Sequence, residues 1–117
     1  MSGPRVTLYG IKNCDTMKKA RAWLDGRGVA FAFHDYKVAG ITRETLTGWV
    51  RIAGWEALLN RAGTTFRKLA DKDKEGMDEA KAIALMLAQP STIKRPVLDV
   101  TGKLLIGFKP AEYEKIF

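Results

Sequence analysis

Apolar and polar positions along the first part of the chain change period twice. VTLY, residues 6–9, is a short β-rich run bounded by Gly10. Beyond it Met17, Ala20 and Leu24 recur at helical spacing, until DGRG ends the segment with two glycines. VAFAFHDY then alternates, which places Val29, Phe31 and Phe33 on one face of a strand. Strand, helix and strand within about thirty residues predict a right-handed βαβ unit with parallel strands.

From Ile41 to Gln89 the pattern is helical. Thr42 is placed to cap a helix that carries Leu46, Trp49 and Val50 and that Gly54 closes. WEALLN forms a short apolar turn, and GTTFRKLA starts another. In DEAKAIALMLAQP, Ala80, Ile83, Ala84 and Leu87 make an apolar stripe, with Asp78 as cap and Pro90 as stop. PVLDV and KLLIG then flank Thr101-Gly102, a hairpin signal, and Pro110 opens a terminal helix in PAEYEKIF. The expected fold class is α/β. A mixed four-stranded sheet is built from βαβ and ββα ends, in a single domain over residues 1–117 with a helical insertion at 41–89. That order is the thioredoxin-like plan with an insertion.

Composition narrows the chemistry. The chain has 117 residues, 46% of them apolar, enough for one core without a staple. One cysteine forms no internal disulfide, and one cysteine with one histidine builds no zinc site, so no metal is expected. MSGPR lacks the apolar core of a secretory signal, and no run reaches membrane-spanning length; a reducing, cytoplasmic setting is expected, with no membrane partner. The net charge of +7 favours anionic partners in general. The basic residues are spread along the chain without a nucleic-acid module, so a solvated basic surface accounts for them and nucleic acid is not expected.

The single cysteine, Cys14, lies between the first strand and the first helix, in YGIKNCDTMKKA. A thiol is nucleophilic only when ionised, and its free pKa of roughly 8.5 leaves few thiolates at neutral pH. A helix N-terminus offers unpaired N–H groups and the positive end of the dipole. Lys12 and Lys18 add positive charge in the same stretch, and Asp15 opposes them, so a lowered thiol pKa is expected. The alternative is a small buried hydrophobe, since Cys14 also falls three residues before Met17. If the thiol reacts, the place of a second cysteine three positions on is taken by Met17. No other cysteine resolves a mixed disulfide, and turnover needs an external thiol, with glutathione the natural candidate.

STIKRPVLDV is the other informative stretch. In a thioredoxin-like plan Pro96 lies in the loop facing the active-site helix, where a cis bond is an option, and Arg95 points a bidentate anion-binding group at the cysteine. Otherwise Arg95 is a surface residue and Pro96 only sets the strand entry. His34 reads as a packing or hydrogen-bonding residue, with proton transfer as the other option. Trp49 and Trp55 read as core of the helical block, and Arg67 with Lys68 either face a cleft or sit in solvent.

LYGIKNCDTMKKA, FHDY, GWEALLN, GTTFRKL, IKRPVL and GFKPAEY, in this order, resemble the arsenate reductase-like (ArsC) family. They are most similar to its YffB branch, described as glutathione-dependent thiol reductases, and the transcriptional regulator Spx is a relative. The resemblance runs from about Val6 to the C-terminus and implies a thioredoxin-like core with a helical insertion. By position it makes Cys14 the nucleophile and Arg95 the arginine of the family's Arg-Pro motif. Beside these two, Lys12, Asn13, Pro96, Lys109 and Arg67 are expected to bind substrate or glutathione. No bound cofactor is expected, with glutathione as the expected reductant.

True arsenate reductases of this type carry two further arginines. Here Asn60 stands in one place, with Arg61 one position along, and Lys109 stands in the other. Lysine keeps the charge but loses the bidentate fork, so arsenate reduction is not carried over. The expected function is a glutathione-dependent monothiol reductase acting on a small anionic or disulfide substrate. The alternatives are an Spx-like module that binds RNA polymerase and a redox-inert binding protein on the same scaffold; CxxM lacks the disulfide switch of the Spx type.

Overall fold

The computed structural model describes residues 5–101 and 103–117. They form two compact units: one from the two ends of the chain, up to Ala39 and from Arg95 onward, and one spanning Gly40–Lys94.

The first unit contains β1 (Val6–Gly10), α1 (Asp15–Gly26), β2 (Ala32–Asp35), and α2 (Tyr36–Ala39). It also holds the last three elements of the chain. The four strands make one thioredoxin-like mixed sheet, which runs from β2 through β1 to the strands at Val97–Val100 and Lys103–Ile106. β1 pairs with β2 in parallel and with Val97–Val100 antiparallel, and the last two strands pair antiparallel. Register puts Phe33, Leu8, Leu98 and Leu105 side by side across all four strands. This row, with Val6 and Val100, meets the buried Met17, Ala20 and Leu24 of α1 and Tyr113 of the C-terminal helix. The period-2 face of β1 and the period-3.6 face of α1 therefore bury each other.

The predicted second strand is shorter than its alternation suggested. Val29 and Phe31 precede β2, yet with Phe33 they pack on the same core. Thr101 at the hairpin has φ 48°, the left-handed conformation a tight turn needs; its predicted partner Gly102 lies outside the described residues.

The second unit holds α3 (Arg43–Ala53), α4 (Trp55–Leu58), α5 (Thr64–Arg67), α6 (Asp71–Lys74), α7 (Glu79–Ala88) and a 3-10 turn at Pro90–Thr92. Thr42 caps α3 by accepting the Thr45 N–H at 3.1 Å, and Gly54 ends it at φ 87°, as the sequence predicts. Asp78 caps α7 through the Lys81 N–H at 2.8 Å. The apolar stripe on α7 is a correction. Ala82, Ile83 and Met86 are buried, while Ala80 and Ala84 are exposed. The helix is apolar almost all round, so spacing could not choose its inner face. Trp49 belongs to the core as expected, but Trp55 is half-buried. The remaining elements, in the first unit, are β3 (Val97–Val100), β4 (Lys103–Ile106) and α8 (Pro110–Glu114), whose Pro110 sits in its first turn.

Candidate active site

Cys14 is the N-cap residue of α1, with extended backbone at φ −122° and ψ 131°. Its carbonyl accepts the first intrahelical hydrogen bond, from the Lys18 N–H at 3.0 Å. The loop that delivers it is fixed from the neighbouring strand. One carboxylate oxygen of Asp35, at the end of β2, accepts the Lys12 N–H at 3.1 Å. Its other oxygen accepts the N–H groups of Lys37 at 2.9 Å and Val38 at 3.3 Å. Asp35 thus ties the cysteine loop to the start of α2.

Below the loop, Met17 occupies the position where a dithiol enzyme would carry its second cysteine. Its side chain is fully buried, and a Cβ added at Gly10 would collide with the Met17 Sδ and Cε. A side chain at position 10 would therefore force the end of the Met17 side chain to move out of the space it fills.

Two opposing influences act on the Cys14 thiol. Partial burial pushes its pKa up, but the Met17 N–H, the Arg95 guanidinium and the Thr16 N–H together favour the anion more strongly, and the net shift is downward. The two N–H groups belong to the first turn of α1. They fall short of a regular side-chain cap, yet they point positive dipole ends at the sulfur. Arg95 acts both as hydrogen-bond donor and as charge. Lys12 and Lys18, expected to support the thiolate, are not among the groups that lower it; Lys12 contributes its backbone N–H to Asp35 instead.

Arg95 meets the cysteine from the residue that enters β3, and the Arg95–Pro96 peptide is cis. Pro96 is buried, and its carbonyl accepts the Gly107 N–H at 2.8 Å, where Gly107 has φ 81°. The guanidinium also hydrogen-bonds the hydroxyl of Tyr36, the first residue of α2, which is completely buried. Sequence reasoning misses Tyr36, which closes FHDY and reads as the end of a strand. The only signal is a tyrosine directly after the strand whose aspartate holds the loop.

Cys14, Arg95, Pro96, Lys12, Asn13 and Lys109 all belong to the sheet unit, whereas Arg67 belongs to the helical unit. Cys14, Arg95 and Tyr36 form one cluster, and Lys12 and Asn13 are exposed on the adjoining loop. Lys109 is the N-cap of α8 and pairs with Glu112 at 3.8 Å. Arg67 is exposed, and its carbonyl accepts the Lys74 ammonium at 2.9 Å. Arg61 lies over the Trp55 ring, 5.0 Å from its centroid, and the Asn60 amide packs beside Gly63. His34 stacks at a tilt on Tyr9, with centroids 5.1 Å apart. Among the described residues, no group of histidine, cysteine and carboxylate side chains is arranged to hold a metal ion.

Residues 9–116, from the end of β1 to just past α8, match the ArsC family. The chain belongs to the ArsC family. The match spans Cys14, Tyr36 and Arg95 alike. The solved structure of a YffB protein is 63% identical, covers 94% of this chain and 96% of its own, and superposes with a TM-score of 0.92. An uncharacterized protein of Haemophilus influenzae is 41% identical over 112 residues, 96% of this chain and 98% of that one. The global transcriptional regulator Spx of Streptococcus mutans is 29% identical over 109 residues, 92% of this chain and 79% of its length. The relatives of this chain thus include a transcriptional regulator.

Proposed function

We propose that this ArsC-family chain is a glutathione-dependent monothiol reductase of disulfide substrates, working in a reducing compartment such as the cytoplasm. The observation that carries the reading is the thiol of Cys14, the chain's one cysteine. It sits at a helix N-cap with Arg95 and two N–H groups favouring its anion. The Cys14 thiolate attacks one sulfur of a substrate disulfide. A Cys14–substrate disulfide forms and the other half leaves as a thiolate. A glutathione thiolate then attacks that mixed disulfide and restores Cys14, and a second glutathione releases the remaining substrate half. The substrate disulfide gains two electrons, two glutathiones become one glutathione disulfide, and two protons pass from the glutathione thiols to the product thiols. Arg95 stabilises the thiolate as attacking and leaving group and offers a cation for a carboxylate of the substrate or glutathione. Lys12 and Asn13, exposed on the cysteine loop, and Lys109 offer polar and positively charged groups of the same unit for substrate or glutathione, and the buried Pro96 shapes the backbone behind Arg95. Arsenate reduction is not proposed, because Asn60 and the Glu112-paired Lys109 stand where the reductases have arginine forks.

Mass spectrometry after exposure to glutathione disulfide tests the reading. One glutathione adduct on Cys14 is expected, reversed by excess glutathione, with disulfide reduction lost in Cys14→Ser. No adduct, together with an ordinary alkylation rate, would sink it.

A second reading follows from the similarity to Spx: a polymerase-binding module on the same scaffold. It predicts capture of the carboxy-terminal domain of RNA polymerase α, which Cys14→Ser leaves unchanged. A redox-inert binding protein would show neither the adduct nor that capture.

A further inference from the structure

The proposed chemistry uses Cys14 and Arg95 but leaves a fully buried phenol beside them without a role. We infer that Tyr36 is a positioning residue that holds the Arg95 guanidinium against the Cys14 sulfur. This inference rests on the thiolate reading above and deepens it.

Burial of the Tyr36 side chain is complete, yet its hydroxyl meets Arg95. Tyr113, equally buried in the same unit, leaves its hydroxyl without a hydrogen-bond partner inside an aromatic pocket. The sheet unit therefore accepts a buried tyrosine whose hydroxyl does nothing, and the pairing at Tyr36 does not follow from burial alone. Arginine is a long side chain with much rotamer freedom to lose, and Arg95 is only half-buried. A contact with a part-exposed sulfur engages only part of the guanidinium. A guanidinium carries five N–H donors in a rigid plane, so two acceptors fix its orientation where one does not. Tyr36 supplies the second acceptor from the start of α2, directly after the aspartate that anchors the cysteine loop.

The choice of a phenol has an electrostatic consequence. A carboxylate in that place would orient Arg95 equally well but would cancel the charge the thiolate needs. Burial first, and then the negative charges of Cys14 and Asp35, push the Tyr36 phenol well above its ordinary pKa, against the opposing pull of Arg95. The hydroxyl stays neutral and accepts a guanidinium N–H without drawing off its charge. Other charged groups nearby act elsewhere: the Asp35 carboxylate takes the N–H groups of Lys12, Lys37 and Val38. Asp15, Lys12 and Lys18 do not contribute to the Cys14 shift.

Thiolate absorbance against pH in wild type, Tyr36→Phe, Arg95→Ala and the double variant tests the inference. Tyr36→Phe keeps the ring and removes only the acceptor. Its thiolate fraction at about pH 6 is expected to fall roughly threefold. Arg95→Ala should fall at least as far, and the double variant no further than Arg95→Ala, because Tyr36 acts only through Arg95. An unchanged Tyr36→Phe curve beside a shifted Arg95→Ala curve overturns the inference and leaves the reductase reading standing. Additive losses overturn it too, since Tyr36 would then act on the sulfur independently. A wild-type thiol that titrates normally and forms no glutathione adduct defeats the reading and the inference together. A measurement on wild type stands even if Tyr36→Phe folds poorly. The ring-carbon resonance bearing the Tyr36 hydroxyl should inflect at the Cys14 midpoint, and a flat curve there refutes the link.

Discussion

Replacing Met17 with cysteine rebuilds the two-cysteine spacing that the chain lacks and probes where Cys14 points. Positions 14 and 17 are the N-cap and third residue of one helical turn. Side chains three apart on a helix stand about 5–6 Å apart, close enough for a disulfide to form with a small adjustment at the N-cap. The geometry predicts that Met17→Cys converts external into internal resolution. The introduced thiol attacks the Cys14–glutathione disulfide, forms a new disulfide with the Cys14 sulfur and releases glutathione. After treatment with glutathione disulfide, intact mass should show a species two hydrogens lighter than the reduced protein and little persistent adduct.

The substitution has a structural cost that can be worked out separately. The Met17 side chain is completely buried, and its Sδ and Cε fill the space over Gly10. Shortening it removes the equivalent of two buried carbons, about 1.5 kcal/mol at roughly 0.8 kcal/mol each. The void left over Gly10 brings the total to about 2–3 kcal/mol. In a chain of this size that lowers the reduced protein's melting temperature by roughly 10 °C, read by circular dichroism under reducing conditions. Oxidation should recover part of the loss by closing a loop. A stable glutathione adduct at Cys14, with the introduced thiol still free, would refute the placement of the Cys14 sulfur at the N-cap. A melting temperature equal to wild type would refute the packing argument instead.

Other perturbations separate the contributions to the site. Arg95→Ala removes a donor and a charge from the thiolate and should cut its population at about pH 6 by roughly 3- to 10-fold, measured by ultraviolet absorbance. The sign carries over to stability. A thiol pKa lowered by folding stabilises the folded state above the unfolded thiol's pKa and loses that effect as pH falls through the folded value. Denaturation of wild type against Arg95→Ala at several pH values should therefore diverge toward alkaline pH; a gap that widens on acidification is the wrong sign. Asp35→Ala leaves three exposed N–H groups to water and should cost about 2 kcal/mol in urea titration, with a less reactive Cys14 because its loop is freed. Unchanged alkylation in that variant would show that the loop holds Cys14 without Asp35. Tyr113→Phe deletes a buried hydroxyl that has no partner and should leave stability unchanged or raise it by about 1 kcal/mol, and a clear loss would reveal a partner for that hydroxyl.

What could be read from the sequence follows how many faces each element buries. β1 and α1 each bury one face against the other, so Val6, Leu8, Met17, Ala20 and Leu24 stand out by spacing. Caps were legible because their chemistry is local: Thr42 and Asp78 accept N–H groups three residues on. α7 is apolar on nearly every side, and periodicity put Ala80 and Ala84 on an inner face that Ala82, Ile83 and Met86 occupy. Trp55 looked like core for the same reason that any tryptophan does, while its ring is the platform for Arg61.

The site divides along the same line between local and distant causes. Cys14 at the N-cap, with the Thr16 and Met17 N–H groups beside it, is a local arrangement, and the strand–loop–helix pattern announces it. The cation is not local. Lys12 and Lys18 are nearest along the chain, yet the charge that lowers the thiol comes from Arg95, eighty-one positions away, at the entry to β3. Sheet order explains why: β3 lies next to β1 and runs antiparallel to it, so the residue entering β3 arrives beside the residue leaving β1. β2 flanks β1 on its other side and brings Asp35 to the loop and Tyr36 to Arg95. A central β1 with a neighbour on each side thus delivers a loop anchor from one edge and a cation from the other, and the helix that follows supplies the N–H donors.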